Sequence, residues 1–227
     1  MKCPVYKFFW MLTIITIGIL VIHSSMVLSK HYLNISLPDF LVGRFDIDGE
    51  ANLPAWYSTV LLFSVSTISF LLYYLDNKFS KYNPLRRSFW LGFGIVYILL
   101  SLDEAAQMHE IIDKLTNIKW VLIYAPLVGF FLLLCLYYFD VIRRDDSALR
   151  NWVIGGLVVY ATGGLGCEWI NHTFRLADAF LQIEYIAEEG LEMIGAAMVF
   201  TGTLRELNNQ FNKYFYTKKA CSDVVAE

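Results

Sequence analysis

The stretch FWLGFGIVYILLSLDEAAQMHE, residues 89–110, runs from an apolar segment straight into a cluster of ionisable side chains. Asp103, Glu104, His109 and Glu110 follow at a point where a membrane helix should still be in lipid. A charged side chain at the bilayer centre costs roughly 2.5–3.5 kcal/mol even on a lenient insertion scale, so such groups normally face one another, water or an ion. The stretch therefore predicts a membrane helix with polar side chains directed into a protein interior.

The composition of the whole chain also predicts a membrane protein. Hydrophobic residues make up 57% of the 227 residues and charged residues only 17%, whereas soluble domains carry about 25% charged residues. A spanning helix needs about 20 mostly apolar residues. Stretches of this kind lie at about 8–29, 56–75, 89–112, 119–139, 152–173 and 181–204. We therefore expect an all-α polytopic protein of about six transmembrane helices, folded as a single domain over residues 1–227.

The first apolar stretch and the cysteines place two limits on this prediction. Lys2 and Lys7 precede the first stretch as they would in a secretory signal, but the apolar run is long and lacks a clear cleavage site, which favours a retained helix. The four cysteines form no CxxC pair, so neither a disulfide framework nor a thiolate zinc site is indicated.

The distribution of basic residues predicts the orientation of the helices. Thirteen of the 18 Lys and Arg residues lie in alternate connecting segments and at the two ends, and basic residues are retained on the cytoplasmic side. Both termini, including a tail at 205–227, should be cytoplasmic. Most acidic residues and all four histidines then lie towards the outer side. A nucleic-acid partner is excluded, because no basic stripe lies outside the cytoplasmic segments.

Two later helices bring further ligand-type side chains to the outer end. Glu168 and His172 are four residues apart and share one helix face, and Glu188 and Glu192 have the same spacing on the next helix. Carboxylates at this spacing repel each other unless a cation or protons compensate them. Together with His109, these residues form a candidate ligand set, and mixed carboxylate and imidazole ligands suit zinc, iron or manganese. The alternative is a structural polar cluster without a metal.

Asp103 and Glu104 are the candidates for a general base beside such a metal. On an ideal helix, Glu104 and His109 would lie about 140° apart. Either only one of these two helix faces is directed to the site, or the helix departs from ideal geometry. The sequence leaves open which of the two carboxylates faces the site.

A second candidate site lies in the loop after the first helix. Asp46, Asp48, Glu50 and Asn52 alternate with residues that cannot bind a metal, and Gly49 permits a sharp turn, so their oxygens could surround calcium. The loop is not an EF-hand. A solvated acidic loop that introduces the second helix explains the same residues equally well.

The segments FDIDGEANLPAWYS, residues 45–58, and LSLDEAAQMHE, residues 100–110, resemble an uncharacterised group of bacterial multi-pass membrane proteins. The chain is also distantly similar to the alkaline ceramidase-like membrane hydrolases. That resemblance implies a calcium segment at Asp46, Glu50 and Asn52 and a histidine-bound zinc that activates water, and it matches Asp103 to the acidic residue of the family's Leu-Asp-Glu stretch. The family's final His-x-x-x-His helix corresponds to EEGLEMIG, residues 188–195, where this chain has glutamates instead of histidines.

The leading expectation is an inner-membrane, metal-dependent hydrolase that acts on a lipid or another amphipathic substrate at an outward-facing site. Its cofactor would be a divalent transition metal, with calcium in the loop. The alternatives are a metal-ion or proton carrier or sensor, and a non-catalytic subunit of a membrane complex. The sequence identifies no protein partner.

Overall fold

The protein is built of α-helices joined by short connections. The computed structural model describes residues 5–33, 35, 37–47, 49, 51–79, 84–116, 119–144, 146–174 and 178–225, and these contain no strand. The helices are α1 Val5–Tyr32, α2 Asp39–Phe45, α3 Leu53–Phe79, α4 Pro84–Ala106, α5 Met108–Thr116, α6 Trp120–Tyr137, α7 Ser147–Ala161, α8 Glu168–Phe174 and α9 Asp178–Val225. Two π-helical segments, Tyr138–Ile142 and Thr162–Cys167, extend α6 and α7. The all-α class predicted from composition is confirmed.

Within the described residues, five helical segments are long and apolar enough to cross a membrane. They are Val5–Lys30, Leu53–Asp76, Pro84–Ala106, Trp120–Ile142 and Ser147–Asn171. These segments indicate a multi-pass membrane protein. The sixth predicted span, 181–204, lies within α9, which is not one of the five because its glutamates and the Arg205–Glu206 pair interrupt the apolar run.

Helix α9 lies at the centre of the bundle, and this position explains its weaker hydrophobicity. It packs against α1, α3 and α7, and the small residues Ala196 and Ala197 on α9 are almost fully buried. A helix surrounded by other helices can carry polar groups, because they face protein instead of lipid. The buried polar residues Thr201, Thr203 and Glu206 of α9 fit this arrangement.

Helices α7 and α9 approach each other closely through glycines. A Cβ added at Gly195 would lie 2.5 Å from the backbone nitrogen of Tyr160, and one added at Gly156 would lie 2.7 Å from the carbonyl oxygen of Gly195. Small residues allow such close backbone approach between membrane helices. The crossing lies one helical turn from Glu192 and thereby determines where α9 presents its acidic residues.

The predicted helix 89–112 is divided in the structure. Helix α4 ends at Ala106, and Gln107 has a positive φ of 47°, which a residue with a side chain rarely adopts. The chain then restarts as α5 at Met108, and the carboxylate of Asp103 accepts a hydrogen bond of 2.8 Å from the backbone N–H of His109 in its first turn. The deviation from an ideal helix thus coincides with the acidic stretch itself.

Candidate functional site

One end of the bundle contains a polar cavity of about 410 Å³. The last residues of α4, the start of α5, helix α8, the first turns of α9 and the loop before α3 all contribute to its wall. Its polar lining includes Glu104, Gln107, His109, Glu168, Glu188 and Glu189. Lys114 adds a cation. The cavity therefore gathers carboxylates from three separate helices at one end of the bundle.

Asp103 and Glu104 have different positions. Glu104 lines the cavity, whereas the carboxylate of Asp103 contacts His109 and Tyr124. The Nδ1 atom of His109 lies 3.1 Å from Asp103 Oδ2, and the hydroxyl of Tyr124 donates to Asp103 Oδ1 over 3.3 Å. The ring of Trp120 lies 5.2 Å from the imidazole.

These contacts orient the imidazole of His109. A histidine whose Nδ1–H donates to a carboxylate has its tautomer fixed and presents Nε2 as the basic nitrogen. Asp103 therefore acts on the site through His109, and Glu104 is the carboxylate that faces the cavity. The break at Gln107 makes both arrangements possible, because it turns α5 relative to α4.

Glu192 lies beside a pair of glycines. The π-helical segment Thr162–Cys167 contains Gly163 and Gly164, and a Cβ at Gly164 would collide with Glu192 Oε1. A Cβ at Gly163 would lie 2.6 Å from the carbonyl oxygen of Glu188. The glycines thus provide the space in which the Glu192 side chain sits. A widened π turn of this kind is frequent at functional sites.

The predicted metal ligands are only partly brought together. His109, Glu168 and Glu188 line the cavity, and Glu192 lies at the glycine pair. The backbone of His172 lies in α8, but its side chain is outside the described part of the chain. Among the described residues, no three His, Cys, Asp or Glu side chains are arranged so that they could hold a metal ion. Metal binding stays a prediction.

The loop before α3 forms part of the same cavity, a connection that the sequence does not reveal. Ile47 and Gly49 line the cavity, and Asn52 caps α3 by accepting a hydrogen bond of 2.8 Å from the Ala55 N–H. Asn52 also donates from Nδ2 to the carbonyl oxygens of Asp46 and Gly49.

Calcium binding by this loop stays a prediction. Asp46 lies 3.8 Å from His23, measured from Oδ1 to Nδ1. The side-chain amide of Asn52 makes the local hydrogen bonds just described. Asp48 and Glu50 lie outside the described residues.

A buried ionic cluster, which was not among the sequence-based predictions, lies at the opposite end of the bundle. Arg86 contacts both Asp76 and Glu206 at 2.9 Å, and Arg143 contacts Glu206 at 3.0 Å. Asp76, Arg143 and Glu206 are all buried. A detectable signal was present, since Asp76 and Glu206 are acidic residues in or next to long apolar stretches. Their arginine partners could not be identified without the fold.

Comparison with known proteins places the chain in a family. The model of a domain of unknown function, DUF8692, matches residues 12–206, and the chain belongs to that family. No curated protein and no solved structure matches the chain. The resemblance to alkaline ceramidase-like hydrolases therefore stays a prediction.

Proposed function

We propose that this member of the DUF8692 family is a metal-dependent membrane hydrolase that binds a divalent cation in its acidic cavity and acts on a lipid or another amphipathic substrate. The observation that carries the proposal is the imidazole of His109, oriented by Asp103, in a cavity that it shares with Glu104. An oriented imidazole beside a carboxylate is an arrangement suited to proton transfer and to metal ligation.

The charge of the cavity supports cation binding. Its lining residues include four glutamates and one lysine, Lys114. Neighbouring carboxylates disfavour one another's ionised form unless a cation or protons compensate them. Carboxylate oxygens combined with an imidazole nitrogen suit zinc, iron or manganese better than calcium or magnesium. His109, Glu168 and Glu188 are the ligand candidates on the cavity wall, with His172 and Glu192 as the remaining members of the predicted set.

In this proposal the metal, Glu104 and Asp103 have separate roles in hydrolysis. A divalent metal held by these residues would lower the pKa of bound water towards 7 and would polarise the scissile carbonyl or phosphoryl group. Glu104 serves as the general base, because it is the carboxylate of the Asp103–Glu104 pair that lines the cavity. Asp103 keeps His109 in place through the ring and the backbone N–H.

An apolar pocket next to the cavity supports an amphipathic substrate. It has a volume of about 110 Å³ and is lined by Val121 and Leu122 of α6 and by Trp169 of α8, together with Lys119 and Glu168. Glu168 lines both this pocket and the acidic cavity. A molecule with an apolar chain and a polar head could therefore occupy the two spaces at once.

Bound metal is the direct test of the proposal. We expect elemental analysis of the purified full-length protein to find a transition metal. Glu188→Gln and His172→Ala should each weaken its binding by at least about tenfold to hundredfold, because loss of a residue that only supports a ligand already costs that much. Glu184→Gln is the matched control, because Glu184 lies one turn before Glu188 on α9 but does not line the cavity. Its metal content should equal that of the unmutated protein.

The outcomes of this experiment separate the alternatives. A protein without stoichiometric metal that is stabilised by Glu188→Gln would contradict the hydrolase proposal and favour a proton carrier or a structural subunit. A protein that binds metal but cleaves no ester, amide or phosphodiester amphiphile would be assigned as a metal-ion carrier or sensor.

We further propose that the protein resides in the bacterial inner membrane with both termini in the cytoplasm and the acidic cavity facing outward. Reporter fusions at Lys213 and within residues 77–87 should then report a cytoplasmic location, and a fusion near Asp48 should report a periplasmic one. The reason is that Lys and Arg residues are concentrated in the segments that contain Lys213 and residues 77–87. A periplasmic signal at Lys213 would reverse the orientation and place the cavity on the cytoplasmic side.

A further inference from the structure

His23 is buried in the second half of α1 and contacts the loop before α3. It is 2% exposed, and its Nδ1 accepts a hydrogen bond from the backbone N–H of Ile47 over 3.2 Å. The carbonyl oxygen of Phe45 lies 3.3 Å from the same nitrogen. A backbone N–H can only donate, so Nδ1 is the acceptor in the contact with Ile47.

The residue that His23 holds is part of the cavity wall. Ile47 is 3% exposed and lines the acidic cavity together with Gly49. The contact therefore links α1, which contributes no lining residue among those described, to the wall of the candidate site. His23 and Ile47 are 24 residues apart in the chain, so only the tertiary fold creates this link.

The local conformation of the loop is costly to maintain. Ala51 has a φ of 51°, in the left-handed region that favours glycine. The Nε2 atom of His23 on α1 is buried without a hydrogen-bond partner in the described part of the chain, and an unsatisfied buried polar atom opposes the state that contains it. The backbone at Ala51 opposes the loop conformation, and the buried Nε2 opposes the packing of His23 against the loop. This arrangement therefore needs specific contacts to stay in place, and the Ile47 N–H to His23 hydrogen bond is one of them.

We infer that His23 is a positioning residue of the acidic cavity: through Nδ1 it holds the backbone at Ile47 in the cavity wall and so limits the access of water to the carboxylates. This inference rests on the proposed function for its biological meaning, because it assigns His23 to the same site. The physical claim concerns only the hydrogen bond and the cavity wall.

The accessibility of a cysteine in the cavity tests the inference. Ala55 lines the cavity, so the Ala55→Cys variant, with the four native cysteines replaced by alanine, reports on its openness through the rate of reaction with a water-soluble maleimide. We expect His23→Leu to raise this rate by about tenfold, because the loss of one hydrogen bond shifts a local opening equilibrium by that order. His23→Asn should keep the original rate, because its amide oxygen can take the place of Nδ1 as acceptor.

Two controls exclude a general loss of structure. His23→Gln places its amide farther from the backbone, near the position of Nε2, and should react as fast as His23→Leu. If the leucine variant does not fold, the comparison of Asn with Gln decides the question. A second reporter that retains only Cys135, which is fully buried, should react at the same slow rate in every variant.

Three results would overturn the inference. They are an unchanged rate for Ala55→Cys in both His23→Leu and His23→Gln, an equal increase in His23→Asn, and a parallel increase at Cys135. The metal content of the unmutated protein is measured separately. Absence of metal would remove the proposed hydrolase function without affecting the labelling result, so the two failures remain distinguishable.

Discussion

Glu206→Ala is expected to lower the free energy of unfolding by about 3 kcal/mol, because it removes the carboxylate shared by the buried Arg143 and the partly buried Arg86. Glu206 is 2% exposed; its Oε1 lies 2.9 Å from Arg86 Nη2 and its Oε2 lies 3.0 Å from Arg143 Nη2. We choose the lower end of the range known for broken buried ion pairs, since Arg86 keeps Asp76 and Arg143 keeps a longer contact of 4.0 Å to Asp146.

An exposed ion pair in the same region provides the control. Asp140 and Arg150 form a contact of 2.8 Å, but their side chains are 52% and 49% exposed. Pairs of this kind contribute about 0–1 kcal/mol. Denaturant-induced unfolding of Glu206→Ala and Asp140→Ala in the same detergent should therefore separate the two variants clearly. Equal losses would mean that the buried cluster contributes no more than a surface pair.

Gly195→Ala is expected to destabilise the protein by about 2 kcal/mol, a typical cost of overpacking. The added Cβ would lie 2.5 Å from the backbone nitrogen of Tyr160 and 2.7 Å from the carbonyl oxygen of Gly156. Backbone atoms cannot rotate away as a side chain can, so α7 and α9 must separate. The stability of the variant against thermal unfolding checks the prediction.

Gly129→Ala is the matched control for this glycine. A Cβ at Gly129 on α6 would meet no heavy atom within 4 Å, and replacing glycine by alanine within a helix is favourable by roughly 0.5–1 kcal/mol. We expect this variant to be as stable as the unmutated protein or slightly more stable. If Gly195→Ala unfolds at the same temperature as Gly129→Ala, the close crossing of α7 and α9 is not a constraint on the fold.

The glycine crossing also bears on the candidate site. Gly195 lies one turn from Glu192, whose side chain occupies the space beside Gly164. A separation of α7 and α9 moves Glu192 and Glu188 relative to the π-helical segment. Under the proposed function, Gly195→Ala should therefore weaken metal binding as well as stability, whereas Glu206→Ala, which acts at the opposite end of the bundle, should mainly reduce stability.

The positions of most helices could be predicted from local sequence. The predicted stretch 119–139 corresponds to α6, Trp120–Tyr137, and 56–75 lies within α3, Leu53–Phe79. An apolar run of about 20 residues is enough for such predictions, because the backbone in lipid must satisfy its hydrogen bonds within the segment. Helix α9 extends well beyond the predicted stretch, to Val225, since a polar continuation of a helix carries no apolar signal.

The amino-acid sequence by itself also determined which end of the bundle is acidic, because helices of similar length that alternate in direction bring Glu104, Glu168 and Glu188 to one side. Only the tertiary structure decided which groups meet. The turn at Gln107 directs Glu104 to the cavity and pairs Asp103 with His109, and the fold joins Glu206 to an arginine 120 positions away. Such contacts depend on helix rotation and on backbone distances between helices, which no local pattern of residues encodes.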